Sequence, residues 1–539
     1  MWASARTVSL IGAEGHVIEV QVDVSQGVVA TSLVGRPDVA INEARDRCRS
    51  AVLNSRYDWP STRRITISLS PADIPKRGPH FDLAIAIGVL AASDPDFPRP
   101  VLDGAVFLGE LSLDGRIRCV PGVLPMTMAA AARGIRRVYV PEPQAEEAAL
   151  VPDVEVCGLR SLRQLVAVLT GTEVPDAPPV EPMTDHALLS WRGETAGDEV
   201  DLADVRGMAD PRYALEVSAA GGHSLLLSGP KGSGKTTLAE RLPTLLPDLS
   251  PDEALEVTAI ASLAGILPRD GRLASRPPFR APHHSATRAA VLGGGTGRVR
   301  PGEVSKAHLG VLFLDEFPFF AVDIIEGLRQ PLESGQVSVA RGEEEATYPA
   351  RAIVVFACNP CKCGGFSGAA AESTCRCGTT ELRRYRNRVS GPVADRVDIT
   401  RHVERASDWQ RQDQLELPES SATVRARVAA ARARQAARLA GTPWRLNAHV
   451  PGPTLTRQWP LPGPVAGRLA DEVAAGRLTH RGATRVHRLA WTVADLRALD
   501  RPGADELDTA LQLRTGVPLS SGALPEPRLR PVPATGTDR

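Results

Sequence analysis

The sequence predicts an α/β protein built in three parts, and three observations predict it. A glycine-rich loop, Gly229-Pro230-Lys231-Gly232-Ser233-Gly234-Lys235-Thr236, follows an apolar run (223–229) and opens a helical pattern (236–246). A second apolar run, 311–316, ends in the acidic pair Asp315-Glu316. Upstream of both, residues 1–171 mix period-two strand patterns with period-3.6 helical stripes.

Each element has a local reason. Over 16–25, Ile18, Val20, Val22 and Val24 share one face of a strand, and Glu19, Gln21 and Asp23 the other. Ile65, Ile67 and Leu69 repeat that pattern within 63–75. Between them, Ile41, Ala44, Cys48 and Val52 form a helical stripe over 37–55. The run 83–92 reads as a buried helix, too short for the ~18 apolar residues of a membrane span. Strand signals return at 106–120 and 137–141. A polar, proline-bearing stretch, 172–199, reads as a linker. The second part, 200–405, carries strand-like runs at 223–229, 310–315 and 351–357, with a cysteine-bearing insertion at 358–378. The third, 406–515, is helical and arginine-rich, and 516–539 is a proline-rich tail expected to be disordered.

A chain of 539 residues exceeds one core, so several domains are expected. No run is apolar enough to cross a membrane, and the N-terminus lacks a charged lead followed by an apolar block, so a cytoplasmic location is expected. The formal net charge is zero, so no global basic field attracts nucleic acid. Only five of the 63 basic residues are lysine. An arginine bias spread over a whole chain reflects genomic base composition more often than a binding surface.

The loop is a phosphate cradle. Its glycines let backbone N–H groups surround phosphate oxygens, and the helix that follows presents its positive end. Lys235 is placed to reach the outer phosphates of ATP, Thr236 to offer its hydroxyl to Mg²⁺, and Thr237 to continue the cradle. Asp315 is placed to hold the metal from the far side, and Glu316 to act as general base toward water. At the end of the run 351–357, Asn359 either orients that water or closes a turn before Pro360. Arg396, on a segment leaving the core, either completes a neighbouring subunit's site or pairs with Asp395 or Asp398.

Five of the eight cysteines fall between 358 and 377. Cys361, Cys363, Cys375 and Cys377 form two closely spaced pairs around a small, glycine-rich loop that cannot build a core of its own, which points to structural Zn²⁺. Cys358 lies on the preceding strand and reads as core. The following basic stretch, 383–388, could touch phosphates or be an ordinary solvated helix face.

The segments 276–295, 300–316, 328–341, 348–364 and 390–399 together resemble the Mg-chelatase-like AAA+ ATPases, specifically their ComM/YifB branch; so do 34–55, 72–93, 108–125 and 478–496. The resemblance implies an AAA+ P-loop core, a C-terminal helical lid and a hexameric ring that drives branch migration of DNA, branched or single-stranded, in recombination or competence. It implies that Gly229, Gly234, Lys235 and Thr236 form Walker A, Asp315 and Glu316 Walker B, Asn359 sensor 1, Arg396 the arginine finger and Arg481 the sensor 2 position, with Arg485 and Arg488 one and two turns further on. Lys231 stands where the family usually has proline. The interval between Lys235 and Asp315 leaves room for the clade's insertion, where His283 and His284 form a structural or DNA-facing loop.

Residues 1–171 resemble the Lon protease domain (a ribosomal S5-like fold). Gly78-Pro79-His80 and Pro121-Gly122-Val123-Leu124 stand where the Lon serine and lysine belong, so no peptide hydrolysis by that dyad is expected. Two other activities fit a ring ATPase of this class. A magnesium-chelatase motor is one, although such motors are short and lack the N-terminal domain. A protein-remodelling ATPase is the other, for which the sequence offers no pore-loop aromatic signature.

Overall fold

The computed structural model describes residues 1–181, 200–267, 272–295, 299–341, 344–366, 375–390, 395–404 and 418–525. The N-terminal part is built on a four-stranded sheet. Trp2–Ile11 and Glu14–Ser25 form an antiparallel hairpin, Arg64–Ser70 joins the latter antiparallel, and Ala30–Val34 closes the edge in parallel. Register sets Val20 opposite Leu69, Val22 opposite Ile67 and Val24 opposite Ile65, so the two alternating faces meet as one apolar layer. The helix Asp82–Ser93 is buried along nearly its whole length, as its lack of a polar face requires. Asp38 caps the helix Val39–Asn54 by accepting from the Ile41 N–H at 2.8 Å, and its stripe Ile41, Ala44, Cys48 and Val52 faces inward.

The strand signals over 106–120 resolve into three short strands. Ala105–Phe107 joins a parallel sheet with Arg137–Pro141 and Glu155–Leu159, while Glu110–Leu111 and Ile117–Arg118 fold into a small hairpin. The turn between them is held by Ser112, whose Oγ donates to Asp114 Oδ1 at 2.5 Å.

The second part is a five-stranded parallel sheet in the order Phe279–Arg280, Val311–Leu314, Ile353–Cys358, Leu225–Ser228, Ile399–His402. The strand before the glycine loop thus neighbours the strand that ends at Asn359, which in turn neighbours the one that ends at Asp315. In an open parallel sheet, ligands bind at the carboxyl ends of central strands, and all three candidate segments leave the sheet there.

The helices Ser421–Arg438, Gly452–Gln458, Gly463–Ala474, His480–Leu496 and Ala504–Thr515 make up the third part. The first packs on Lys235–Leu245 and Ala209–Gly221, and its arginines are spent inside the chain. Arg427 forks onto Glu216 and Glu419, and Arg438 onto Asp495 with its guanidinium over the Trp491 ring. Residues 516–525, expected in the disordered tail, are packed instead. Leu519 and Ala523 are buried in the core, and the Leu519 N–H donates to Asp210 Oδ2 at 2.8 Å. The rest of the tail, 526–539, lies outside the described residues, as do 182–199 of the linker.

The N-terminal part and the sheet domain share one apolar cluster that includes Val8, Leu10 and Met126 on one side and Leu263, Phe317 and Tyr348 on the other. At its edge Glu147 accepts from Ser262 Oγ at 2.5 Å and from the Leu124 N–H at 2.9 Å, while burial pushes its carboxyl up.

Candidate functional site

The glycine loop curls tightly at the end of its strand. Gly229 has no room for a side chain, because a Cβ there would lie 2.1 Å from the Val403 carbonyl oxygen. Gly234, at φ +90°, turns the chain into the helix Lys235–Leu245 in a conformation costly for other residues. Lys235 is buried at the start of that helix. Its ammonium donates to the Gly229 and Pro230 carbonyls, each at 2.8 Å, and to Asn359 Oδ1 at 3.2 Å. Burial lowers its pKa, opposed by Asp315, so the charge is held by these contacts. Asn359 therefore sits against the lysine at the strand tip rather than merely closing a turn.

Thr236 Oγ1 donates to Asp315 Oδ2 at 3.2 Å, which brings together two hard oxygen ligands of the kind Mg²⁺ takes. Ser233 Oγ is buried inside the loop with no hydrogen-bond partner among the described residues, an orphan that a phosphate oxygen would satisfy. Beside the loop, Asp204, Val205, Arg206 and Met208 face Gly232, Ser233, Gly234 and Thr237 across a cavity of ≈ 300 Å³. The lining mixes apolar side chains, Val205 and Met208, with polar ones, Asp204, Arg206, Ser233 and Thr237. The segment 204–208 carries no motif, and sequence reasoning did not single it out.

Glu316 adopts a left-handed backbone (φ +49°), uncommon for a residue with a Cβ. Its N–H donates to Asp315 Oδ1 at 2.8 Å. His284 lies 3.9 Å from Glu316 through Nδ1 and Oε2. Local sequence gave no sign of this neighbour, because it depends on which strand lies beside which.

Arg396 and Arg481 stand apart from the loop and converge on Glu333. Arg396 donates to it at 2.8 Å, and Arg481, largely exposed, approaches to 3.9 Å. Arg485 is instead locked to Asp398, and Arg488 donates to the Val450 carbonyl at 2.8 Å. Asp395 and Asp398 pair with Arg514 and Arg485.

The four cysteines come together. Cys361, Cys363, Cys375 and Cys377 place their sulfurs within 4.8 Å of one another, and all are free thiols. The separations of 3.3, 3.7 and 3.6 Å among Cys361, Cys363 and Cys375 are too long for a disulfide. They approach the ~3.8 Å edge of a tetrahedron with 2.3 Å metal–sulfur bonds. Backbone N–H donors from Gly365 and Arg376 pull the Cys363 thiol down, while the neighbouring Cys375 and Cys377 thiols are raised. Cys358 stays out of the group, buried in its strand with its thiol pushed up to about 11. The module begins two residues after Asn359, and its Gly364 packs against the Lys231 side chain. In the N-terminal part, His80 is buried with Nε2 2.8 Å from the Val8 carbonyl oxygen.

The parallel sheet, the phosphate loop at its carboxyl edge and the paired Thr236 and Asp315 define a P-loop ATPase of the AAA+ class. Family profiles agree along the chain: "Magnesium chelatase, subunit ChlI" over 201–411, "Subunit ChlI of Mg-chelatase" over 20–144, and the ChlI C-terminal region over 418–514. An uncharacterized protein of Mycobacterium tuberculosis H37Rv is 44% identical over 513 residues, 95% of this chain and 98% of its own length. YifB of Escherichia coli K12 is 38% identical over 94% of this chain and 96% of its own. Competence protein ComM of Haemophilus influenzae is 36% identical over the same shares. The chain belongs to the ComM/YifB branch of the Mg-chelatase-like ATPases. A shorter similarity, 28% over 134 residues, links it to Lon protease of Clostridioides difficile. Among the described residues no helix is long and apolar enough to cross a membrane.

Proposed function

We propose that this protein is an ATP-hydrolysing ring motor, hexameric by its class, that acts on branched or single-stranded DNA in recombination or competence. The observation that carries the ATPase reading is the convergence of Lys235, Asn359, Thr236 and Asp315 at one end of the sheet. In this reading Lys235 and the loop N–H groups hold the phosphates, and Thr236 and Asp315 hold Mg²⁺, which neutralises charge on them. Glu316 removes the proton from the attacking water while Asn359 keeps that water in line. Arg396 reaches the nucleotide of the neighbouring subunit after leaving Glu333, and Arg481 follows the lid. The four cysteines hold Zn²⁺, which staples the loop between Asn359 and the helix Thr379–Ser390.

The DNA reading is supported by the relative named a competence protein and by the site's surroundings. The helix Thr379–Ser390 leaves the cysteine module with Arg383 and Arg384 exposed. Its basic face is not wholly solvated, since Arg386 lies over the Phe366 ring and Arg388 donates to the Pro318 carbonyl. The deciding experiment is steady-state ATP turnover without DNA and with single strand, duplex or a four-way junction. Greatest stimulation by the junction supports a branch-migration motor. Equal turnover on all of them refutes the DNA reading and favours a chelatase-type motor or a protein-remodelling ATPase.

A further inference from the structure

We infer that Arg514, with Arg485 beside it, is a positioning residue for Arg396, so that the C-terminal helices of one subunit hold the arginine that serves the ATP site of the next. The inference rests on the reading of Arg396 as the arginine that completes a neighbour's site.

The segment 395–398 leads into the strand Ile399–His402, which pairs with Leu225–Ser228 in parallel, Leu225 opposite Ile399 and Ser228 opposite His402. Arg396 therefore lies at the edge of the sheet where these strands begin, and the glycine loop lies at the edge where they end. Away from its own cradle, Arg396 would meet a nucleotide only on a second subunit, across a head-to-tail contact.

The backbone around Arg396 is held from outside. Within this segment the Asp395 carbonyl accepts from Arg485 Nε at 3.1 Å and from Arg514 Nη2 at 3.4 Å, and the Val397 carbonyl accepts from Arg514 Nη1. Arg514 thus bridges the carbonyls on both sides of Arg396, a task for a planar fork of donors rather than a single ammonium. The Arg396 carbonyl itself accepts from Ser224 Oγ at 3.4 Å. The flanking carboxylates are engaged from the same helices. Asp398 Oδ1 takes Arg485, and Asp395 Oδ1 accepts from Thr479 Oγ1 at 3.4 Å with Arg514 3.7 Å away.

The clamp is itself fixed. Arg485 and Arg514 are 13% and 12% exposed. The helix Ala504–Thr515 ends on the strand it clamps, since a Cβ on Gly516 would lie 3.4 Å from Thr400 Cγ2. Arg401, paired with Asp210, donates to the Gln512 carbonyl and, at 3.0 Å, to the Val517 carbonyl, so both sides of Arg514 are pinned. The helix His480–Leu496 carries Arg485 on the backbone of Arg396 and Arg481 beside the Glu333 that its side chain holds. A movement of these helices would carry Arg396 with it, and a misplacement of about 1 Å can cost a catalytic group a hundredfold.

The test uses the full chain with Arg514→Met, which keeps an apolar stem and removes the donors, and with Arg514→Lys, Arg396→Ala and Lys235→Ala. Turnover and binding of a fluorescent ATP analogue are read for each alone, and turnover again in equal mixtures with Lys235→Ala. Arg514→Met should lose roughly tenfold to a hundredfold in turnover. Its affinity for the analogue should stay within about twofold of the parent. Arg514→Lys, able to reach one carbonyl, should recover part of the loss. Mixing separates the roles, because Arg514→Met keeps its cradle and Lys235→Ala keeps a well-placed Arg396. In randomly assembled rings about one interface in four joins those two intact halves. Turnover of that mixture should exceed that of either variant alone, as should the mixture of Arg396→Ala with Lys235→Ala. A gain with Arg396→Ala and none with Arg514→Met would overturn the inference and leave the reading of Arg396 standing. Parent-like turnover in Arg514→Met would overturn it too. So would loss of analogue binding, which would make Arg514 structural within its own chain. No gain in either mixture would remove the reading of Arg396 itself.

Discussion

Replacing Asp398 with asparagine should unfasten the sheet domain from the helical lid. Asp398 is buried, and its Oδ2 accepts from the Ser224 N–H and Oγ–H, both at 3.1 Å. Its Oδ1 takes the Arg485 guanidinium from the helix His480–Leu496, and His223 Nδ1 lies 3.7 Å away. Burial alone would raise this carboxyl, yet Arg485, with His223 and Arg488 behind it, holds it well below the usual carboxylate range. Asparagine keeps the shape and one acceptor but leaves Arg485, only 13% exposed, without its counter-charge. Breaking one side of a buried pair costs about 3–5 kcal/mol, and the retained acceptor favours the lower end. For a unit of this size that lowers the unfolding midpoint by roughly 5–10 °C. Thermal unfolding followed by circular dichroism at fixed scan rate measures it. The pH dependence has a definite sign. A carboxyl lowered in the folded state stabilises above its unfolded value near 3.8 and loses that contribution as pH falls below it. The gap between parent and Asp398→Asn should therefore be constant from about pH 7 to pH 5 and narrow below about pH 4. Joint replacement, Asp398→Leu with Arg485→Met, should recover much of the loss because neither charge is then stranded. An unchanged midpoint in Asp398→Asn would refute the reasoning, since a mostly buried arginine cannot lose its acidic partner at no cost.

Other outcomes follow from the site. Lys235→Ala should lower ATP turnover by about 10²–10³-fold or more in a coupled phosphate-release assay, and normal turnover would remove the P-loop reading. Arg396→Ala should leave binding of a fluorescent ATP analogue intact while turnover falls about 10³-fold. Loss of binding instead would mean that the Arg396–Glu333 pair is structural within one chain. Elemental analysis of protein purified without a histidine tag should find about one zinc per chain, and none in Cys361→Ser/Cys375→Ser. Zinc retained by that variant would place the metal elsewhere.

Much of the molecule was legible because the responsible forces are local. Alternating Ile and Val at 18–24 and 65–69 make half-buried strands, and a glycine loop between a strand and a helix is the pattern of a phosphate cradle. The cysteine quartet was readable from spacing, since residues two apart in a small loop lie within the reach of one ion. The strand signals over 106–120 do not reveal where the run divides, because strand propensity continues through it while the turn at Asp114-Gly115 reverses the chain. The segment 516–525 reads as a proline-rich tail, and only its packing on Asp210 and the core reveals otherwise. What only the tertiary structure decided are the long-range pairings. Strand order put Asn359 on Lys235 and His284 beside Glu316, packing within the sheet domain gave Glu333 to Arg396, and lid docking gave Asp398 to Arg485. Sequence alone determines which side chains can do chemistry and which faces must be buried, because both are written within a few residues. Which of those side chains meet depends on the order of strands and the seating of helices, and these are set by the packing of the whole core.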